Sequence, residues 1–307
     1  SFRMGLLFAF LAVSVRHNGV VAVFPMLGLH LAEHRLVRNW RPWKRNLTSW
    51  LTAGALSLAM YEGLQLLFSP FVRHQHFEQN IWIYDLAAMS VKADRSLFLP
   101  EDPVLQPGKG LAELKTVFDP RRNWRLFDCL PGTKPCERVL EHTVDSDKLA
   151  ALKGNWSRQV RTQLRLYLSV RFDLYRDLIG LAGKPVFLHR DQIDPNKLGY
   201  KHTAERRHRV SRYLAIRNRL ARTPLFAVWL YLAAALAIGV ATIRDFWRAR
   251  PPLAAALATS AILYHLTYFF LSGSAEFRYA NWSILATLLA VFALPASLSK
   301  REGFSSP

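Results

Sequence analysis

The stretch 252–299 constrains this chain more than any other. Two apolar runs, Pro252–Leu271 and Ala280–Ser299, flank a short turn at Ser272-Gly273-Ser274. Each run is about 20 residues, which at about 1.5 Å rise per residue matches the roughly 30 Å hydrocarbon core of a bilayer. The tip of this hairpin reads Ala275-Glu276-Phe277-Arg278-Tyr279, with Asn281 and Trp282 just beyond. A carboxylate and a guanidinium beside apolar spans are costly unless they are paired, hydrated or used. One reading is an interfacial anchor, because Tyr, Trp and Arg belong at headgroup level. The other is that Arg278 faces a phosphate-bearing lipid substrate, with Glu276 orienting it.

Composition narrows the partners. The chain is 51% hydrophobic yet carries 41 Lys and Arg against 22 Asp and Glu, a net charge of +19. In a membrane protein such a balance points to anionic headgroups, lipid phosphates or acidic glycans. Nucleic acid is disfavoured, since the basic residues border apolar runs and no nucleic-acid motif is present.

The order of apolar and basic segments predicts a topology. Met4–Val15 and Val20–Leu31 are separated by Arg16-His17-Asn18-Gly19. At about 12 residues each, they are too short to cross alone. They form one kinked span, or two short helices whose broken backbone lines a polar cavity. Residues 33–46 are Arg-rich and cytoplasmic by the positive-inside rule. Leu47–Ser69 then crosses outward with Glu62 and Gln65 on it, residues 70–222 stay outside, and 223–243 crosses back to Arg244, Arg248 and Arg250. The hairpin follows, and Lys300-Arg301 begin a basic tail. The expected fold class is an all-α polytopic membrane protein, a transmembrane helix bundle with a mainly helical extracytoplasmic segment. Its parts are 1–69, 70–222, 223–299 and a cytoplasmic tail at 300–307.

Within the external segment, Phe77–Val91 reads as a helix with Ile81, Tyr84 and Ala88 on one side and Asp85 beside them. Cys129 and Cys136 bracket a Pro/Gly turn and suit a structural disulfide in an oxidising compartment. A single long amphipathic helix is expected from Ser146, as its cap, to a stop at Gly180, Gly183 and Pro185. Its apolar residues include Leu149, Leu152, Trp156, Leu164, Tyr167, Leu168, Leu174 and Leu178, with Arg158, Arg161, Arg165 and Arg176 opposite. This helix is expected along the membrane or over the bundle, apolar face inward. Residues 201–222 form the densest basic cluster and read as an interfacial helix gripping anionic headgroups, or as a clamp for a substrate phosphate. Asn46, Asn155 and Asn281 head glycosylation-acceptor triplets, a pattern common by chance. There is no Walker loop, GxGxxG, HExxH or GxSxG motif.

Three features together carry a family resemblance: the broken helices around Arg16-His17-Asn18-Gly19, the helix holding Ile83-Tyr84-Asp85-Leu86-Ala87, and the helix holding Gln163-Leu164-Arg165-Leu166-Tyr167-Leu168. With Glu276-Phe277-Arg278-Tyr279 leading into the last span, they resemble bacterial GT-C glycosyltransferases. Such enzymes move a sugar from a polyprenyl-phosphate carrier to an acceptor on the outer side. The resemblance implies a polyprenyl-phosphate-linked sugar as donor and a glycan, lipid or protein acceptor, with no cofactor assigned and the metal requirement open. It implies a bacterial inner-membrane location with the long segment periplasmic. Acceptor activation needs a carboxylate, for which Asp85 and Glu276 are the candidates. Arg278 first and Arg16 second would stabilise the leaving phosphate, with His17, Asn18 and Tyr279 completing the substrate-binding set. In that family the catalytic acid lies in the first external loop. Nothing before Arg16 supplies such a loop, so the chain is expected to correspond to the later part of such an enzyme. Two other functions fit the same residues. One is a non-catalytic membrane subunit that binds anionic lipid or lipid-linked glycan and supports a partner; the other is a polysaccharide polymerase or ligase.

Overall fold

The computed structural model describes residues 10, 19–32, 42–68, 76–99, 102, 104–130, 132, 137–183, 187, 204–247 and 253–302. Among them the fold is all-helical. In place of strands there are isolated antiparallel bridges, Leu105 with Leu140, Arg122 with Ser274 and Cys129 with Arg138. The chain divides into two compact units, one formed by Ser1–His76, Leu230–Leu271 and Tyr279–Pro307, the other by Phe77–Trp229 and Ser272–Arg278.

The first unit contains helices α1 (Gly19–Ala32) and α2 (Pro42–Phe68), which pack on each other. Pro25 stays inside α1. Gly28 lets the two backbones approach, because a Cβ there would lie 3.2 Å from the Trp50 ring, which also meets Phe24 edge-on at 5.2 Å. Later in the chain this unit also takes in α8 (Val228–Trp247), α9 (Leu253–Leu271) and α10 (Asn281–Glu302). They meet along an alanine seam of Ala235, Ala254, Ala258, Ala261, Ala286 and Ala290. Small residues of this kind allow the close packing on which helices in lipid depend. Ser260 pins three helices, donating to the Ala22 carbonyl and accepting from Trp282 Nε1 at 2.9 Å. Leu266, Phe270, Leu289 and Phe292 point outward. Among the described residues two helices are long and apolar enough to cross a membrane, Leu253–Leu271 and Phe277–Pro295. Gly19–Ala32 and Val228–Thr242 are shorter apolar helices, and α2 is not among either set. The expected apolar run Met4–Val15 lies outside the described residues apart from Phe10.

The second unit is built around α3 (Gln79–Ala93), whose residues Ile83 to Ser90 are all buried. Helices α4 (Leu111–Val117), α5 (Ser146–Thr162) and α6 (Leu164–Leu178) pack against it. The single helix expected from Ser146 is therefore two. Gln163 leaves the helical region (φ −126, ψ 43), and its amide is held between Gln159 (2.6 Å) and Arg95 (3.0 Å). Nor is Ser146 the cap: Asp145 Oδ1 accepts from the N–H groups of Asp147 (3.0 Å) and Lys148 (3.2 Å), and Ser146 is the first helical residue. This follows the general rule that a carboxylate satisfies helix-start donors well. The amide of Asn155 donates to the Leu97 carbonyl (3.0 Å) and to Asp102 (2.7 Å) in a buried setting, so that acceptor triplet has a structural role. Cys129 is disulfide-bonded, while Cys136 lies outside the described residues. The Arg-rich cluster supplies α7 (Ala204–Leu220), which precedes a 3-10 turn at Pro224–Phe226.

The hairpin tip, Ser272–Arg278, belongs to this second unit. It pairs with the segment before a 3-10 turn at Asn123–Phe127: the Ala275 N–H donates to the Arg121 carbonyl at 2.9 Å, and Arg122 bridges Ser274. Gly273 makes this approach possible, since a Cβ there would meet Asn123 Nδ2 at 2.9 Å and its Cβ and Cγ at 3.3 Å. Overpacking of this kind costs about 1–3 kcal/mol. Gly273→Val should therefore raise the exchange rate of the Ala275 amide by about tenfold or more, because about 1.4 kcal/mol is a factor of ten. Hydrogen exchange of the tip peptides is the check.

Candidate functional site

The residues with the most unusual surroundings sit where α3, α6 and the tip converge. Asp85 on α3 and Arg171 on α6 have fully buried side chains, with Arg171 Nη2 at 2.6 Å from Asp85 Oδ2. Trp156 Nε1 on α5 donates to the same oxygen at 2.9 Å. The other arm of Arg171, Nη1, donates to the Ser272 carbonyl, the first residue after α9. Its guanidinium carbon also lies 5.6 Å from the Tyr167 ring centroid. One buried guanidinium thus ties the central helix to the tip. Oδ1 of Asp85 and Nε of Arg171 are buried with no hydrogen-bond partner among the described residues.

The electrostatics follow from burial. Loss of water pushes the Asp85 carboxyl up from its ordinary value, while Arg171 and then the Trp156 N–H pull it back. Beside it, burial raises the Tyr84 phenol, with Arg171 opposing and Asp85 adding to the rise. Tyr84 therefore remains a donor, and its hydroxyl bonds the Pro120 carbonyl at 2.7 Å. That bond fixes the backbone just before Arg121, whose carbonyl receives the Ala275 N–H. The adjacent residues Tyr84 and Asp85 thus secure both sides of the tip, one through the 120–122 segment and the other through Arg171.

On the tip itself, Glu276 is 3% exposed. Its Oε2 lies 2.5 Å from Arg278 Nε, and its Oε1 accepts from Ser274 Oγ at 3.2 Å. The Arg278 side chain is 49% exposed. A buried carboxylate is therefore ion-paired, outside hydrogen-bond geometry, with a half-exposed guanidinium that can also meet an anionic oxygen. Phe277 packs on Phe226 (4.9 Å between centroids) and Phe187 (5.4 Å), and Arg217 of α7 lies 4.7 Å over Phe187. Tyr279 belongs to the first unit, where it stacks on Tyr268 at 4.8 Å, and Arg278 belongs to the second. Arg16, His17 and Asn18 lie outside the described residues. Among the described residues no group of three or more His, Cys, Asp or Glu could hold a metal ion.

Two participants escaped the sequence reading. Arg171 was passed over among the basic residues of its helix, although it falls on the arc of Tyr167, Leu174 and Leu178, all buried. A cation on the core-facing arc of a helix is the available signal for a buried ion pair. The second is Trp124, 39% exposed, with the guanidinium carbons of Arg122 and Arg125 at 5.9 and 6.0 Å from its ring. It lies on the 3-10 turn just after the segment that pairs with the tip.

Among the described residues the protein is all-helical, two helices are long and apolar enough to cross a membrane, and Arg278, ion-paired with Glu276, lies at the start of the second of these stretches. Scans of protein-family models, of the curated proteins and of the solved structures give no match to this chain.

Breaking a buried pair strands a charge and costs about 3–5 kcal/mol, whereas replacing both partners by apolar groups is often near neutral. Arg171→Met alone should therefore destabilise the protein by about that amount in denaturant unfolding. The double change Asp85→Leu with Arg171→Met should recover much of it. A single change without effect would mean that the pair does not hold the unit together.

Proposed function

We propose that this chain is an integral membrane protein that acts in transfer of a sugar from a polyprenyl-phosphate carrier to an acceptor on the extracytoplasmic side. The observation that carries the reading is the Glu276–Arg278 pair, in which a buried carboxylate lies 2.5 Å from a half-exposed guanidinium on the turn between α9 and α10. Departure of a lipid phosphate gathers negative charge, which an oriented guanidinium stabilises best where water is scarce. The resemblance to GT-C glycosyltransferases in the sequence supports the same chemistry. In this proposal the orientation of the spans and the external placement of the second unit follow the positive-inside pattern of the loops, and the bacterial inner-membrane setting follows from the resemblance.

One observation favours a second reading. Asp85, the external carboxylate first considered for acceptor activation, has its Oδ2 occupied by Arg171 and Trp156 in full burial. A carboxylate so engaged positions the tip rather than accepting a proton. Glu276, held by Arg278 and Ser274, is likewise an orienting group. A membrane subunit that binds a lipid-linked anion without catalysing transfer would need nothing more than Arg278 and its support.

The test is Arg278→Ala in the full chain reconstituted into vesicles with a polyprenyl-phosphate-linked sugar. Donor binding should fall by at least tenfold while insertion is retained; loss of a charge-assisted contact of about 1.5–3 kcal/mol predicts a drop of that order. Unchanged donor binding would remove Arg278 from the function. Donor binding without sugar transfer in the unmodified protein would establish the subunit reading instead.

A further inference from the structure

The break at Gln163 gives α6 two apolar faces. Tyr167, Val170, Leu174 and Leu178 are buried within the second unit. A separate row, Leu164, Leu168 and Phe172, repeats every fourth residue and stays 52%, 41% and 57% exposed. Arg165 and Arg176, both exposed, border this row. The neighbouring carboxylate of Asp173 is held by Lys92 at 2.5 Å, with Arg176 4.0 Å away. A polar helix side would need no such row, and a core-facing row would not be exposed.

A second helix of the same unit repeats the pattern. On α7, Tyr213, Ile216 and Leu220 lie at helical spacing and are 62%, 60% and 41% exposed. Arg209, Arg212 and Arg219 on that helix are exposed as well. Both helices are tethered to the roots of apolar helices. From the middle of α6, Arg171 donates to the carbonyl of Ser272, which directly follows α9. From the end of α7, only residues 221–227 lead to Val228, the first residue of α8.

From this we infer that the exposed faces of α6 and α7 each dock on an anionic phospholipid bilayer, with the apolar rows entering the headgroup–acyl boundary and the arginines meeting lipid phosphates. The inference rests on the membrane reading of the apolar helices but not on sugar transfer. Apolar rows fringed by Arg, on a chain of net charge +19, match the chemistry of an interfacial helix on anionic lipid.

Single changes Leu168→Cys, Phe172→Cys and Ile216→Cys, each spin-labelled in the full chain in phosphatidylglycerol vesicles, provide the test. Phe292→Cys reports on a span, being 80% exposed on α10, and Ala151→Cys is an exposed reference on α5. Labels at 168, 172 and 216 should relax several-fold more with oxygen than with a water-soluble nickel chelate, and the label at 151 should do the reverse. The contrast should shrink when phosphatidylcholine replaces phosphatidylglycerol, or with Arg165→Gln and Arg176→Gln combined. Nickel-exposed labels at 168, 172 and 216, with an oxygen-rich label at 292, would overturn the docking surface while leaving the spans intact. Nickel exposure at 292 too would overturn the membrane reading with it. Unchanged contrast in phosphatidylcholine would overturn the choice of anionic lipid. Spin–spin broadening that disappears on dilution with unlabelled protein would assign the surface to a second copy of the chain and overturn the lipid assignment.

Discussion

The second unit depends on one buried charge pair. Arg171 and Asp85 are both removed from water, and each would be costly there alone. Paired, and joined by the Trp156 N–H, they hold α3, α5 and α6 together. The guanidinium has a planar fork, so its second arm can reach a different partner without disturbing the first. That partner is a backbone carbonyl at Ser272, far along the chain. A lysine could not make both contacts with the same rigidity. The side chain therefore links packing in the core to the position of the tip.

This arrangement separates support from contact. Asp85 and Tyr84 are adjacent on α3, and each secures a different side of the tip. Glu276 is buried and ion-paired to Arg278, whose side chain is about half exposed. Asp85 is fully buried, with Oδ2 held by two donors, so its carboxylate is out of reach of an external hydroxyl.

Much of the helical layout could be read from the sequence. The alanine- and leucine-rich runs at 253–271 and beyond Phe277 have the length and apolarity of spans, and the helix around Asp85 carries Ile81, Tyr84 and Ala88 at helical spacing. Glu276 and Arg278, two residues apart, suggested their own pairing. Three things could not be read. The break at Gln163 depends on tertiary contacts, with Arg95 and Gln159 holding its amide, and helix periodicity runs straight through it. The partner of Asp85 lies 86 residues away, beyond any local pattern. The tip joins the second unit because Gly273, a residue that looked like a turn former, permits close contact with Asn123.

The long reach of Arg171 also bears on the order in which the protein is made. Its contact with Asp85 spans 86 residues toward the N-terminus, whereas its contact with Ser272 spans 101 toward the C-terminus. At synthesis rates of about 5–20 residues per second, roughly 5–20 seconds separate the emergence of Arg171 from that of Ser272. During that interval the ion pair can form but one arm of the guanidinium lacks its carbonyl. The nascent second unit is thus completed only after α9 has been translated, which ties the maturation of the polar unit to the production of the apolar hairpin.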